Sequence, residues 1–118
     1  MGWFRRLRSF FTQSDEQRLA EETRRWAERI PGTRPIKGCP SREPVKVAGA
    51  VSRLRLRPSN GSVTLEAVVS DGTGEVTASW MGRSHIPGLG LGTGVVLEGV
   101  VATGRDGLRM VNPRFEFA

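Results

Sequence analysis

Two alternating runs, Val63 to Ser70 and Glu75 to Met81, separated by Asp71-Gly72-Thr73-Gly74, constrain this chain more than any other part of it. Successive side chains of a strand point to opposite faces. Val63, Leu65, Ala67 and Val69 therefore share one face of the first run, and Val76, Ala78 and Trp80 share one face of the second. With Asp71 to Gly74 as the loop, Val69 falls opposite Val76, Ala67 opposite Ala78 and Leu65 opposite Trp80, so both apolar faces coincide. The other face carries Thr64, Glu66, Val68, Ser70, Glu75, Thr77, Ser79 and Met81 and reads as a mostly polar, solvated exterior. Such a hairpin announces a small antiparallel barrel.

From Val45 to the end everything reads as strand and turn. The first strand, Val45 to Arg57, changes phase: Val45, Val47 and Val51 share a parity that Leu54 and Leu56 do not. A bulge or bend near Gly49 to Ser52 accounts for the switch, as where one long strand serves both halves of a barrel. With Pro58 to Gly61 as a loop, Leu56 meets Val63 and Leu54 meets Leu65 inside, while Arg55 faces Thr64 and Arg53 faces Glu66 outside. The last strands are Val95 to Thr103 and Gly107 to Phe117, joined at Gly104-Arg105-Asp106, with Asn112-Pro113 interrupting the second. Phe115 and Phe117 alternate with Arg114 and Glu116 and read as core.

Ahead of residues 45–118 lie three shorter pieces. Residues 14–30 form an amphipathic helix, with Ser14 and Gln17 as a capping box, Asp15 and Glu16 at the helix N-terminus and Pro31-Gly32 as the stop. Leu19, Thr23, Trp26, Ala27 and Ile30 make its apolar stripe, which needs a surface: the barrel, a second copy or a partner. Residues 31–44, rich in Pro and Gly, read as a linker. Residues 1–13 interleave Trp3, Phe4, Leu7, Phe10 and Phe11 with Arg5, Arg6 and Arg8. This basic aromatic leader suits a docking segment, an anionic membrane surface or nucleic acid.

The 118 residues suffice for one domain with an appendage. A formal charge of +6 favours polyanionic partners. Residues 1–44 hold ten basic and six acidic side chains, residues 45–118 eight and six, so the excess sits mainly ahead of the barrel. Cys39 is the one cysteine, which precludes an intrachain disulfide and suits a reducing cytoplasm. No apolar run approaches the roughly 18 residues of a membrane span, the first residues are too charged for a secretory signal, and Arg6 stands where myristoylation wants Ser or Thr.

The ordered set of a bent Val45-Lys-Val-Ala-Gly-Ala-Val51 strand, the Ser70-Asp-Gly-Thr-Gly-Glu-Val76 hairpin, the Leu91-Gly-Thr-Gly-Val95 entry and the closing Asn112-Pro-Arg-Phe-Glu-Phe117 resembles an OB-fold. It looks most like small actinobacterial proteins in which a charged helix precedes a single OB domain. More remotely, it is similar to the wedge OB domain of RecG-type branch-migration helicases. The resemblance covers residues 45–118 and implies a five-stranded antiparallel Greek-key barrel behind a helix, and nucleic-acid binding as the activity.

In an OB-fold the binding surface lies over strands two and three and the loops that flank them. Arg53, Arg55 and Arg57 form an every-second-residue ladder beside that surface, Thr64, Thr77 and Ser79 stand on it, and Arg83 and Arg105 border it. Guanidinium groups can follow a phosphate backbone and stack on bases; alternatively, Arg53 simply pairs with Glu66 across the strands. Against base stacking, the exposed face carries no aromatic residue and Trp80 points inward. No catalytic constellation, metal set or cofactor motif emerges: His85 is alone, and the glycines from Gly88 to Gly94 precede a strand without a Lys-Ser/Thr ending. The reading is a noncatalytic nucleic-acid-binding domain for single-stranded or branched DNA or RNA. Its rival is a protein-interaction or membrane-peripheral scaffold module that uses the barrel and the basic N-terminus.

Overall fold

The structure is a computed structural model that describes residues 13–118, so the leader with Arg5, Arg6 and Arg8 lies outside the described residues. Helix α1 (Gln13–Glu28) is followed by strands β1 (Pro44–Ser59), β2 (Ser62–Ser70), β3 (Glu75–Met81), β4 (Gly94–Gly104), β5 (Gly107–Val111) and β6 (Arg114–Phe117). The helix already includes Gln13, so Ser14 lies inside it and is not its N-cap.

The hairpin of β2 and β3 has the register its alternation demands, with Val69 opposite Val76, Ala67 opposite Ala78 and Leu65 opposite Trp80. The first hairpin differs. Its loop is the dipeptide Asn60-Gly61, with φ of 47° and 78°, the two positive values of a type I′ turn whose twist suits the flanking strands. Pro58 and Ser59 therefore remain in β1, and the pairing slides: Leu56 meets Leu65, Leu54 meets Ala67, Arg55 faces Glu66 and Arg53 faces Val68. A four-residue loop overlooked the stronger turn signal of Asn-Gly, which moved every partner by two positions.

β1 bends where its phase changes. Its first half pairs with β4 and its second half with β2, and Ala50 belongs to both pairings, opposite Gly94 and Ser70. The register then slips between Val51 and Arg53, which returns Leu54 to the inner face; Leu56, expected inside, has the same parity but stays 51% exposed near the hairpin end. Two backbone bonds, from Val51 N to Thr93 O at 3.0 Å and from Gly92 N to Val51 O at 2.8 Å, fasten the long loop after β3 to this bend. That loop caps one end of the sheet with buried Ile86 and with Leu89 and Leu91.

The sheet closes through β1-β2-β3-β5-β4 and back to β1. Strand direction cannot alternate around an odd-numbered ring, so one junction must be parallel. It is β3 with β5, from Val76 beside Leu108 to Ser79 beside Val111, which corrects the all-antiparallel expectation. β6 continues β5 along β4 after a one-residue slip in register at Asn112-Pro113. Asn112 has a φ of 51°, tolerable for Asn, and ties the break to β3: its N–H donates to Ser79 O at 2.6 Å and its Oδ1 accepts from Met81 N at 3.0 Å. Inside the ring, Val47, Val51, Val69, Val76, Val95, Leu97, Val101 and Met110 are fully buried. Trp80 joins them, donating from Nε1 to Pro113 O at 3.1 Å and meeting Phe115 edge to face at 5.5 Å. Phe117, expected in the core, meets Phe115 edge to face at 5.7 Å but stays half exposed at the strand end.

The helix stripe finds its surface on the sheet. Ala27 is buried against Ala48 and Val96, with Trp26 and Ile30 beside it. Asp71 fixes the arrangement. Its fully buried carboxylate accepts from Thr73 N, Thr73 Oγ1 and Gly74 N within the hairpin, from Ile36 N at 3.0 Å and from Arg24 Nη1 at 3.0 Å. The segment between helix and sheet is therefore packed and not a free linker: Ile36 is fully buried, and the Cys39 thiol, pushed up by burial, donates to Pro35 O. Gly72, at a φ of 90°, passes so close to the Ala20 carbonyl that a Cβ there would collide with it.

Removing one partner of a buried charge pair costs about 3–5 kcal/mol. Asp71→Ala is expected to lower the unfolding free energy by about that amount in urea titrations, because it takes the acceptor from the Ile36, Thr73 and Gly74 N–H groups at once and leaves Arg24 with Glu28 alone. Gly72→Ala should destabilise too, through strain and displacement of α1.

Candidate nucleic-acid interface

The outer face of β1, β2, β3 and β5 is organised in cross-strand rows. Arg53 stands beside Val68, Thr77 and Arg109; Arg55 beside Glu66, Ser79 and Val111; Arg57 beside Thr64 and Met81. A cleft of about 1000 Å³ lies on this face, lined among others by Arg53, Arg55, Glu66, Thr77 and Arg109.

Glu66 is the centre of the face. The alternation of β2 places it on a solvated exterior, yet it is only 3% exposed, and Ser79 is buried with it. Three guanidinium groups cover the carboxylate. Arg55 donates to Oε1 from Nη2 at 2.8 Å and from Nε at 3.2 Å; Arg57 Nη2 lies 2.9 Å and Arg109 Nη1 3.1 Å from Oε2. Arg109 Nη1 also donates to Ser79 Oγ at 3.1 Å. Burial on its own would raise the Glu66 carboxyl, but the hydrogen bonds from Arg55 and Arg109 and the charge of Arg57 outweigh it and hold the group below its ordinary range. The side chains of Arg55 and Arg57 nevertheless remain 66% and 55% exposed, so each keeps donors directed at solvent.

The slipped register decides which arginine does what. Arg53, expected opposite Glu66, instead reaches toward Glu75 at 3.9 Å, with both side chains exposed. Arg109 was not among the candidate residues at all; it arrives through the parallel pairing of β3 with β5. The signal was present, since inward Leu108 and Met110 oblige Arg109 to point outward.

All of Arg53, Arg55, Arg57, Thr64, Thr77 and Ser79 thus share one face, but the charges divide it. In the cleft, Arg53, Arg55 and Arg109 are matched by Glu66, Glu75 and Asp106. Arg105 extends this balanced end, next to Asp106 in the β4-β5 turn. The cationic surplus lies at the opposite end, where Arg57 neighbours Thr64 and Met81, and exposed Arg83 follows β3 just beyond. Among the described residues there is no cluster of His, Cys, Asp or Glu able to hold a metal ion, and no helix long and apolar enough to cross a membrane.

No protein-family model and no curated protein matches the sequence. Among solved structures, RecG bound to a three-way DNA junction is similar over 71% of this chain, with a TM-score of 0.61 and 19% identity. The match takes in 12% of that much longer chain. At this identity the likeness is one of fold: a mostly β, OB-like closed sheet behind an N-terminal helix.

The depressed Glu66 carboxyl contributes stability that is present above its ordinary value of 4.5 and is lost as pH falls through its lower folded value. Thermal melts should therefore show the native protein losing stability below about pH 4.5, whereas Glu66→Gln should be less stable at neutral pH and flatter across the acid range.

Proposed function

We propose that the chain is a noncatalytic nucleic-acid-binding domain of the five-stranded OB barrel type, of the small, helix-preceded kind its sequence resembles. The contacts are to the phosphate backbone, made by Arg55 and Arg57 with Arg83 at the flank. The observation that carries this reading is the Glu66 cluster: three guanidinium groups meet on one buried carboxylate, which neutralises one charge of three and holds the others at the surface. Guanidinium groups fixed in this way present a fork to phosphate with less entropy left to lose. The RecG likeness supports the same reading, since that protein was captured on a DNA junction and the shared part has the same fold. Nucleic acid is accordingly the class of partner, and the single-stranded or branched form of DNA or RNA is the finer expectation.

Fluorescence anisotropy with labelled single-stranded, duplex and forked oligonucleotides across a salt series tests it. Affinity should fall as salt rises, with a log–log slope of about 0.7–0.9 per phosphate contacted. Arg55→Gln with Arg57→Gln should reduce that slope by about one to two, while Glu66 keeps Arg109 and the fold its pairing. Arg53→Gln, at the charge-balanced end, should change it less. Absence of binding at low salt would end the proposal. Binding that disappears on deletion of residues 1–12 would instead assign the contact to the basic leader.

A further inference from the structure

Two of the most exposed large apolar side chains in the described structure, Met81 at 62% and Val111 at 55%, stand side by side on the arginine face. Val111 lies beside Ser79 across the parallel β3-β5 pairing, Met81 is two residues further along β3, and Asn112 joins them through its bond to Met81 N. A single exposed apolar side chain is ordinary, but these two are diagonal neighbours across the β3-β5 pairing, one in the row of Arg55 and one in the row of Arg57. Each also ends a cross-strand row that starts with an arginine. One row runs Arg57, Thr64, Met81; the next runs Arg55, Glu66, Ser79, Val111. Both pass from guanidinium through a polar middle to an apolar end, across two or three strand spacings of about 4.8 Å each.

We propose that this gradient is a binding surface for a single strand of nucleic acid, with phosphates on Arg55 and Arg57 and unpaired bases on Met81 and Val111. The inference rests on the nucleic-acid reading above and specifies its ligand. A duplex offers a flat sheet face only phosphate and sugar, because its bases are stacked inside, and it would leave Met81 and Val111 against charged or hydrated groups. An unpaired strand carries a base next to every phosphate, and its apolar base face matches the far end of each row. The polarisable thioether of methionine makes favourable contacts with aromatic rings, and a branched aliphatic side chain beside it widens the apolar surface on which an unpaired base can pack. They supply the apolar platform that the face lacks in aromatic form. Thr64 leaves the middle of the first row small, whereas in the second Arg55 and Arg109 lie over Glu66 and Ser79, so a strand crossing there meets guanidinium groups before it reaches Val111.

The test compares four probes of equal length with the full chain by anisotropy: a thymine homopolymer, its uracil RNA counterpart, an abasic strand that keeps the phosphates and lacks the bases, and a duplex. The base-bearing strands should bind about five- to tenfold more tightly than the abasic strand and the duplex, and the two sugars report which nucleic acid is preferred. Met81→Thr with Val111→Thr places an exposed, β-branched strand former at both positions, so the fold is retained, as circular dichroism verifies. This variant should lose the advantage of bases over abasic sites while its salt slope stays unchanged. Equal binding of abasic and base-bearing strands, tighter binding of duplex, or a base preference that survives in the double variant would overturn the inference and leave the backbone-binding function standing. Failure to bind any probe at low salt would remove both.

Discussion

The buried carboxylate of Asp71 is the constraint on which the assembly depends. A carboxylate with no exposure must have its lone pairs filled, and Asp71 fills them from three separate parts of the chain: its own hairpin, the segment at Ile36 and the helix at Arg24. Each partner is local to a different element, so the hairpin cannot hold its turn, the segment cannot pack Ile36 and the helix cannot dock independently of one another. The Arg24 contact sits beside the collision point of Gly72 with Ala20, which fixes how closely the helix may approach. Helix, connecting segment and sheet therefore behave as one body. A sheet this small has limited core, and covering Ala48 and Val96 with α1 adds apolar burial that the ring does not supply by itself.

The ring's odd strand number has a functional consequence. Because five strands force one parallel junction, β5 is brought beside β3 with its side chains in phase, and Arg109 lands beside Thr77 within reach of Glu66. An all-antiparallel sheet of the same strands would have had an open edge there and no third guanidinium on the carboxylate. The closed topology thus builds the cation cluster as well as the core.

How much of this was legible in the sequence follows from which signals were local. The β2-β3 register could be read residue by residue, since alternation and a tight turn determine each other, and so could the inward position of Trp80, the bend in β1 and the interruption at Asn112-Pro113. The apolar stripe on α1 announced that the helix needs a surface. What escaped were pairings between segments distant in sequence. The neighbour of β3 depends on how the sheet closes, which placed Arg109 out of reach, and the packing of Ile36 depends on a hydrogen bond to Asp71 that no periodicity reports. The β1-β2 register failed for a different reason: Asn60-Gly61 was a legible type I′ turn, and including Pro58 and Ser59 in the loop displaced Arg53, Arg55 and Arg57 relative to their partners. That displacement mattered, because it changed the partner of Glu66 from Arg53 to Arg55 and thereby moved the organised part of the face toward the hairpin.

Asp71 and Glu66 use the same chemistry to opposite ends. Both are carboxylates almost without exposure, both are satisfied by arginine, and both lie on or beside the central hairpin. At Asp71 the arginine is largely covered, its other contact is Glu28 on its own helix, and the pair joins elements together. At Glu66 two of the three arginines are more than half exposed, so the pairing orders side chains that still face solvent. Three guanidinium groups gathered on one face, two from β1 and one from β5, would otherwise repel one another, and each carries about 2 kcal/mol of rotamer entropy that a ligand would have to overcome. Glu66 reduces both costs by giving up one unit of positive charge. A surface selected for charge alone would not bury an acid at its centre, whereas a surface that must hold guanidinium groups in a defined row has reason to. The face is therefore organised for the position of its cations more than for their number.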